Sequence, residues 1–220
     1  RLLLGANRLA PEFNEADISR NFRANGTSDP PDKAYKALAA NTFVDWRLRV
    51  DGLVASPLNL SLPDLRAFPI RTQITRHDCV EGWSCIGKWT GPRLSAVLVR
   101  AGARSQARFV VFHCADTMEG GEAAGETKIR TTLDNQPIRY YESLDLIDAL
   151  HPQTILAYEM NGEPLPVAHG APLRLRVERQ LGYKMAKYLM RIELVDSYAA
   201  IGGGRGGYWE DRGYDWYAGI

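Results

Sequence analysis

One short stretch constrains this chain more than any other: residues 76–91, which read Arg-His-Asp-Cys-Val-Glu-Gly-Trp-Ser-Cys-Ile-Gly-Lys-Trp-Thr-Gly. Cys79 is set here among titratable groups, two tryptophans and three glycines. A thiol is a useful ligand or nucleophile only as the thiolate, and a nearby cation such as Arg76, or a bound metal, lowers its pKa. Glycines allow close backbone approach, and tryptophans exclude water. This combination favours a cofactor site, although a cysteine in a short apolar stretch is most often a small buried side chain.

Composition describes an ordinary soluble globular protein. The chain has 220 residues, 45% hydrophobic and 24% charged, with a formal net charge of +1, which predicts one domain with a real core and no nucleic-acid or anionic membrane partner. No apolar run approaches the roughly 20 residues of a membrane span, and residues 1–5 are too short for a complete signal peptide. Three cysteines indicate no disulfide framework and do not fix the compartment.

The chain divides into three parts by composition. Residues 1–40 are polar and rich in Asn, Asp and Pro, which predicts an extended arm packing on the domain. Residues 41–200 are predicted to form the domain itself. Residues 201–220 form a glycine-rich tail that lacks the Gly-Lys-Ser/Thr ending of a phosphate loop, so we predict a flexible hinge. Its last aromatic residues are expected to fasten the terminus to the domain or to a partner: Tyr214, Trp216 and Tyr217.

The first half of the domain reads as short strands and helices. Alternation over 46–50 predicts a half-buried strand that ends at the 51–52 turn, with the next strand starting near Leu53 and a short helix at 62–65. Residues 72–75 are predicted to lead as a strand into the Cys79 stretch. Apolar residues recur at helical spacing over 94–101, followed by Gly102 as the stop. Cys79 is therefore expected on a loop that joins a strand to a helix.

The second half carries its polar groups at the ends of predicted elements. Residues 109–112 read as a buried strand that ends in His113-Cys114-Ala115-Asp116, followed by a long polar loop to about residue 138. A short helix is expected next, with Ser143 as its N-cap. The dipeptide Asn161-Gly162 predicts a type I′ hairpin, and residues 173–177 alternate as the following strand.

Several separate motifs resemble the sulfite oxidase-type molybdopterin-dependent oxidoreductases. Cys-Val-Glu-Gly-Trp-Ser, beginning at Cys79 and followed by Trp-Thr-Gly, is similar to the family's molybdenum-ligand segment. Residues 154–166 and 169–174 resemble the sulfite oxidase signature, and residues 182–187 resemble the next family element. Glu81 matches the branch that contains the catalytic subunit of the periplasmic methionine-sulfoxide reductase. The resemblance implies an α+β fold of mixed sheets with short helices, carrying one molybdenum-molybdopterin cofactor.

The resemblance also implies roles for individual residues. Cys79 takes the metal-ligand position, Tyr140 that of a tyrosine beside the molybdenum, and Lys88 that of an anion-binding arginine. With Glu81, these are the catalytic candidates. A phenol with an ordinary pKa near 10 would donate a hydrogen bond to an oxo or substrate oxygen. Cys85 is expected to be structural. The implied cofactor-binding residues are Arg20, Asn21, Arg23, Ala24, Cys114, Asp116, His169, Arg174, Met185, Ala186 and Lys187.

The donor types in this set suit the implied cofactor. Arginine and lysine favour phosphate oxygens, and a thiolate is a soft ligand for a transition metal. The departures from the reductase branch are Arg23 and Ala24, which replace Tyr-Glu, and Cys114, which replaces a threonine. Asp116 matches an aspartate of the sulfite oxidases instead.

The implied activity is two-electron oxygen-atom transfer on a small S- or N-oxide or sulfite-like substrate, in the periplasm. The sequence has no Cys-x-x-Cys-His motif, so the electrons are expected to pass to or from a separate cytochrome or haem membrane subunit. Sulfite dehydrogenation remains an alternative. So do a cysteine hydrolase using Cys79 with His113 or His169, a binding domain that keeps only the fold, and a zinc module built from His77, Cys79, Cys85 and His113.

Overall fold

Short strands and helices make up the domain. A computed structural model describes residues 8–118 and 138–220. The helices are α1 (Lys33–Ala40), α2 (Leu62–Arg66), α3 (Leu94–Ala101) and α4 (Leu146–Ala149). The strands are β1 (Leu48–Gly52), β2 (Leu58–Leu60), β3 (Ile70–Asp78), β4 (Ser84–Pro92), β5 (Phe109–Thr117), β6 (Arg139–Asp145), β7 (Ile155–Ala157), β8 (Glu159–Met160), β9 (Glu163–Pro164), β10 (Arg174–Arg176) and β11 (Leu189–Val195).

The strands of the described residues assemble into three sheets. The five-stranded sheet has the order β2-β1-β11-β5-β6, and the four-stranded sheet the order β3-β4-β8-β9. β10 and β7 form a two-stranded sheet. β1 pairs with β11 in parallel, whereas its other partner β2 and the remaining pairs are antiparallel. The predicted α+β class with mixed sheets and short helices is confirmed.

The main core lies between the five-stranded sheet and α3. The helix begins where it was predicted and buries one face, formed by Leu94, Val97, Leu98 and Ala101. Gly102 ends it in the left-handed conformation, with φ 67°, as the sequence predicts. The hairpin at Asn161-Gly162 is also confirmed, since φ is 54° and 86° there, as a type I′ turn requires.

Cys79 lies at the tip of a β-hairpin, and the predicted strand–loop–helix arrangement is wrong. β3 pairs with β4 from Ile70↔Pro92 to Asp78↔Ser84, so residues 79–83 form the turn. The Cys79 N–H donates to the Trp83 carbonyl at 2.9 Å. Gly91, which would lie on the expected loop, is inside β4. A Cβ there would lie 2.0 Å from the Leu156 carbonyl oxygen, so glycine serves close packing of β4 on β7.

Three other elements differ from the expectations. The strand after β1 is β2, not a segment starting at Leu53. The N-terminal arm contains α1, whose N-cap Asp32 accepts a hydrogen bond from the Tyr35 N–H at 2.8 Å. Ser143 lies in β6, and α4 begins after Asp145. Pairing with β5 extends β6 across this position, because cross-strand contacts outweigh local capping preference.

The C-terminal segment packs on the domain instead of forming a hinge. Its Tyr208 and Glu210 are buried. The glycines permit close contacts: a Cβ at Gly207 would lie 2.0 Å from the Glu210 carboxylate, and one at Gly206 would lie 2.5 Å from the Trp216 ring. Most of the predicted polar loop before residue 138 lies outside the described residues. Within the described ranges, no helix is both long enough and apolar enough to cross a bilayer.

Candidate cofactor site

A cavity opens beside the tip of the β3–β4 hairpin. It holds about 770 Å³ of empty space, its open mouth included. Distant parts of the chain meet on its wall. Six of the predicted site residues line it: Cys79, Glu81, Asp116, Tyr140, Met185 and Lys187.

The Cys79 thiol is buried on this wall, with 8% of the residue exposed. Burial raises its pKa and the Glu81 carboxylate adds to the effect, while the Glu81 N–H and Arg23 act in the opposite direction. Glu81 itself accepts a hydrogen bond from Trp83 Nε1 at 3.0 Å. Without a metal, Cys79 is therefore a protonated thiol at neutral pH and a poor nucleophile. A bound metal ion would stabilise the thiolate.

Tyr140 lines the cavity as a neutral phenol. Its hydroxyl donates to the Tyr183 backbone carbonyl and lies 3.4 Å from Glu142 Oε1. Burial raises the pKa of Tyr140 well above its ordinary value, and the carboxylates of Glu142 and Glu210 raise it further. At neutral pH this group is a hydrogen-bond donor that keeps its proton, and it cannot act as a base there.

Lys187 supplies a buried cation at the cavity. Its ammonium donates to the backbone carbonyls of Asn25 at 2.7 Å, Ala168 at 3.3 Å, and Thr27. Burial and the nearby Arg174 lower the pKa of Lys187 to about 7. An anion bound beside it would raise this pKa again and hold the ammonium charged.

Arg174 lies behind Lys187 and is almost fully buried. It donates to the carbonyls of His169 at 3.0 Å and Met185 at 3.4 Å, and its guanidinium lies 5.0 Å from the centre of the Trp89 ring. Burial lowers its pKa to about 9, which leaves it charged at neutral pH. Its Nε has no hydrogen-bond partner within the described ranges. A buried unpaired donor is costly, so this atom marks a place where an anion would be stabilising.

His169 completes the cluster around Arg174 and Lys187. Burial and these two cations lower the pKa of His169 to about 4, so its imidazole is neutral and can donate or accept one hydrogen bond. The next residue, Gly170, has φ 108°, and a Cβ there would lie 2.8 Å from the Lys187 Cβ. Gly170 therefore allows Lys187 to pack closely. The unpaired Arg174 donor and the buried cations together fit an anionic cofactor.

The arm reaches the cavity through residues other than those predicted. Asn25, Gly26 and Thr27 line the wall. Arg20, Asn21, Arg23 and Ala24 are exposed. The guanidinium of Arg23 lies 5.4 Å from the centre of the Trp83 ring, and the Asn21 carbonyl accepts from Cys85 Sγ at 3.7 Å. The contacts of Asn25 and Thr27 with Lys187 use backbone carbonyls, which any residue type can supply, so the side chains at these positions give little sequence signal.

The remaining predicted residues lie around the site. Cys114 and Ala186 are buried in the core next to it. Asp116 lies on the cavity wall, where burial raises its pKa to about 6 while Lys187 acts against the shift. Lys88 points elsewhere, because its ammonium forms an ion pair with Glu15 of the arm at 2.5 Å.

Four other lining residues had no site role assigned to them individually. Gly182 and Tyr183 belong to the 3₁₀ turn that begins the predicted 182–187 element, and Trp209 and Tyr214 come from the C-terminal segment. The rings of Trp209 and Tyr214 stack at 5.2 Å with an interplanar angle of 27°. The clustering of aromatic residues in the C-terminal segment was the sequence signal that could have identified Trp209 and Tyr214 as lining residues.

The geometry favours neither a hydrolase nor a zinc module. His113 bonds Glu193 at 2.9 Å on the five-stranded sheet, and His77 is buried with its Nδ1 accepting from Arg176 at 3.0 Å. A His169 with a pKa near 4 is a poor base at neutral pH. Across residues 8–118 and 138–220, no three His, Cys, Asp or Glu side chains are placed to hold a metal together.

A buried thiol on a cavity backed by cations, in a mixed-sheet α+β fold, defines a domain that binds an anionic metal cofactor. The chain belongs to the family described as oxidoreductase molybdopterin binding domain, whose profile matches residues 36–200. It is a molybdenum-dependent oxidoreductase with molybdopterin as its cofactor, and the predicted sulfite oxidase-type family is confirmed.

Known relatives cover most of the chain. A putative protein-methionine-sulfoxide reductase subunit of Azospira oryzae is 38% identical over 217 residues, 99% of this chain and 70% of that protein. Two catalytic subunits of protein-methionine-sulfoxide reductase are also similar. The Xanthomonas campestris subunit is 36% identical over 178 residues, 80% of this chain and 52% of the relative. The Campylobacter jejuni subunit is 30% identical over 186 residues, 84% of this chain and 61% of the relative.

The fold also resembles a solved structure. The sulfane dehydrogenase SoxCD from Paracoccus pantotrophus matches with a TM-score of 0.55 and 24% identity, over 70% of this chain and 39% of that one. This likeness concerns the fold alone. The chain spans only 52% and 61% of the two catalytic subunits.

Proposed function

We propose that this protein reduces S-oxides by two-electron oxygen-atom transfer, with Cys79 as the protein ligand of the molybdenum. The observation that carries the proposal is the position of Cys79 on the wall of the cavity that Lys187 also lines, with Arg174 behind it. When bound, the molybdenum cofactor supplies the oxygen-atom and electron transfer. In the overall reaction the sulfoxide S=O bond is broken, two electrons and two protons are consumed, and a thioether and water are formed.

The chain's own residues bind the cofactor and the substrate. His169, Arg174 and Lys187 stabilise the pterin phosphate in different ways. The N–H groups of Lys187 are taken by three carbonyls, so it contributes its charge, whereas the unpaired Arg174 Nε and the His169 imidazole can donate to the anion. Tyr140 exchanges its hydrogen bond to the Tyr183 carbonyl for one to the substrate oxygen, and Glu81 borders the same space. Lys88 is assigned no part in this step, since it pairs with Glu15.

Reduction of a neutral S-oxide is favoured over oxidation of sulfite. The relatives are named as methionine-sulfoxide reductase subunits. In the described part of the cavity wall, the charged side chains are Lys187, already bonded to three carbonyls, and the carboxylates of Glu81 and Asp116. Carboxylates disfavour a second anion such as sulfite.

Electrons come from a separate redox protein, a cytochrome or a haem membrane subunit, in the periplasm. The support is twofold. The names of the relatives refer to subunits, which implies a further subunit in those proteins. The sequence also has no haem-attachment motif.

The test compares two cysteines that lie close together on the same hairpin. Wild type, Cys79→Ser and Cys85→Ser are purified, and their molybdenum, released pterin and turnover of dimethyl sulfoxide with a reduced dye are measured. We expect Cys79→Ser to fold, to lose turnover and to retain less molybdenum, whereas Cys85→Ser matches wild type. Full turnover in Cys79→Ser would contradict the ligand assignment. Oxidation of sulfite in preference to sulfoxide reduction would contradict the direction.

A further inference from the structure

The C-terminal segment builds one side of the cavity from aromatic rings. Trp209 and Tyr214 stack on each other, and Tyr183 meets Tyr214 edge-on at 5.2 Å between ring centres. All three line the cavity together with Cys79. We call these three residues the aromatic wall. It places a broad apolar surface on the cavity that carries the thiol.

Two residues of the aromatic wall lie outside the part of the chain that the family profile matches. The profile ends at residue 200, whereas Trp209 and Tyr214 follow it. The cofactor-binding residues all precede that point. The segment after residue 200 therefore adds a surface to a cavity whose thiol, Cys79, and buried cation, Lys187, lie within the matched part of the chain.

Buried contacts hold this segment rigidly. Glu210, next to Trp209, forms a buried ion pair with Lys184. The Tyr208 N–H donates to the Tyr141 carbonyl at 2.9 Å. The Arg212 guanidinium lies 3.5 Å from the centre of the Tyr208 ring and donates to its carbonyl at 2.8 Å. The wall is thus pre-organised, which reduces the entropy lost on binding.

The chemistry of the wall suits one class of ligand. Aromatic faces and edges contact methyl groups and sulfur favourably. Val80 and Met118 add aliphatic and thioether surface to the same cavity. The carboxylates of Glu81 and Asp116 disfavour an anionic substrate. A neutral molecule with a polar S=O group directed at the metal and apolar substituents on the wall matches both features.

We propose that the aromatic wall is the specificity element of this enzyme, packing Trp209 and Tyr214 against the apolar substituents of a neutral thioether S-oxide. This inference rests on the proposed function and assigns that function's substrate class to residues outside the family domain. Larger apolar substituents gain more contact, so catalytic efficiency rises from dimethyl sulfoxide to methyl p-tolyl sulfoxide.

The experiment uses three variants of the holoenzyme: Trp209→Ala, Tyr214→Ala and the matched control Trp216→Ala. Trp216 belongs to the same segment but stacks on Tyr198, with 5.9 Å between ring centres. Molybdenum content and melting temperature are recorded first. The measured quantity is the ratio of kcat/KM for methyl p-tolyl sulfoxide to kcat/KM for dimethyl sulfoxide. Loss of folding or cofactor alone lowers both activities together and leaves the ratio unchanged.

We expect Trp209→Ala and Tyr214→Ala each to lower the ratio by about tenfold, the scale of one lost aromatic contact, and Trp216→Ala to leave it unchanged. Binding of methyl p-tolyl sulfone, measured by calorimetry, should weaken in parallel. Unchanged ratios in the two wall variants, or an equal change in Trp216→Ala, would overturn the inference. A wild-type protein that carries its full molybdenum content but reduces neither sulfoxide would instead contradict the proposed function. Even in that case, equal sulfone binding by the wild type and all variants would contradict the role of the aromatic wall in binding.

Discussion

Lys184 and Glu210 form a fully buried ion pair that joins the cavity wall to the C-terminal segment. A second carboxylate, that of Glu142, lies 2.6 Å from the same ammonium, and all three side chains have 0% exposure. Burial raises the pKa of Glu142 well above its ordinary value, although Lys184 opposes the shift. Although burial acts to lower the pKa of Lys184, the two carboxylates raise it. The Lys184 ammonium and the two carboxylates stabilise one another in the interior. The position of Trp209, next to Glu210, therefore depends on all three groups.

Lys184→Met should strongly destabilise the protein. Removing the ammonium leaves two buried carboxyl groups facing each other without a cation, and losing one partner of a buried pair costs about 3–5 kcal/mol. The free energy of unfolding, measured by chemical denaturation, gives the effect. Lys36→Met is the matched control: Lys36 pairs with Asp29 at 3.4 Å, and both side chains are more than half exposed. We expect its effect to be below about 1 kcal/mol. Equal effects of the two substitutions would show that the buried pair is not the cause.

Lys187 should make the stability of the cofactor-free protein depend on pH. Its pKa is about 7 in the folded protein, against an ordinary value of 10.5. At pH values between these two, Lys187 is protonated in the unfolded chain and deprotonated in the folded protein. The free energy of unfolding therefore rises with pH in this range. Relative to Lys187→Met, the free energy of unfolding of the wild type should rise by up to about 1.4 kcal/mol per pH unit between roughly pH 7 and 10.

The same comparison at lower pH and with cofactor provides the controls. Below pH 7 the lysine is charged in both states, so the difference between wild type and Lys187→Met should be constant. In the loaded protein the cofactor's anionic charge raises the pKa of Lys187, and the pH dependence should weaken. A difference that does not change with pH in the cofactor-free protein would contradict the lowered pKa.

Gly170→Ala should impair cofactor retention, and Gly213→Ala should not. The two glycines have similar φ, 108° and 103°, so an alanine at either costs about 1–2 kcal/mol of left-handed strain. Only at Gly170 would the Cβ meet a neighbour, the Lys187 side chain at 2.8 Å, while nothing lies within 4 Å at Gly213. We expect Gly170→Ala to lose about 1–3 kcal/mol more stability and to release pterin on dialysis. Equal pterin content in both variants would count against a role for the close packing of Gly170 on Lys187 in cofactor retention.

Contiguous motifs led to the residues around the cavity. Cys79 was proposed from a short segment with its own chemistry, and His169, Arg174 and Lys187 from motifs a few residues long; Cys79 and Lys187 line the cavity, and their roles stay predictions. The stop of α3 at Gly102 and the turn at 161–162 were also predictable, because a local conformational requirement selects the residue type in each case. These features depend on near neighbours in the chain.

Non-local packing decided the features that local patterns misjudged. Gly91 was expected on a loop, yet pairing with β3 places it in β4, and β7 passes too close for a Cβ there. Ser143 resembled a helix cap, yet pairing with β5 keeps it in β6. The glycines of the C-terminal segment suggested a hinge, yet Gly206 and Gly207 allow close contact with Ser143 and Glu142 of β6. In each case the partner lies elsewhere in the chain or in another element, and no local pattern specifies it.

The sequence by itself therefore determined the class of fold, the family, the cofactor and the candidate ligand, because these follow from residue types at short spacing. Only the tertiary structure decided how the cavity is built: the arm's backbone carbonyls that hold Lys187, the buried charges around Lys184 behind the wall, and the rings of Trp209 and Tyr214 on it. Such contacts join residues that are far apart in the chain, and their free energy exists only once the chain has closed around a common cavity.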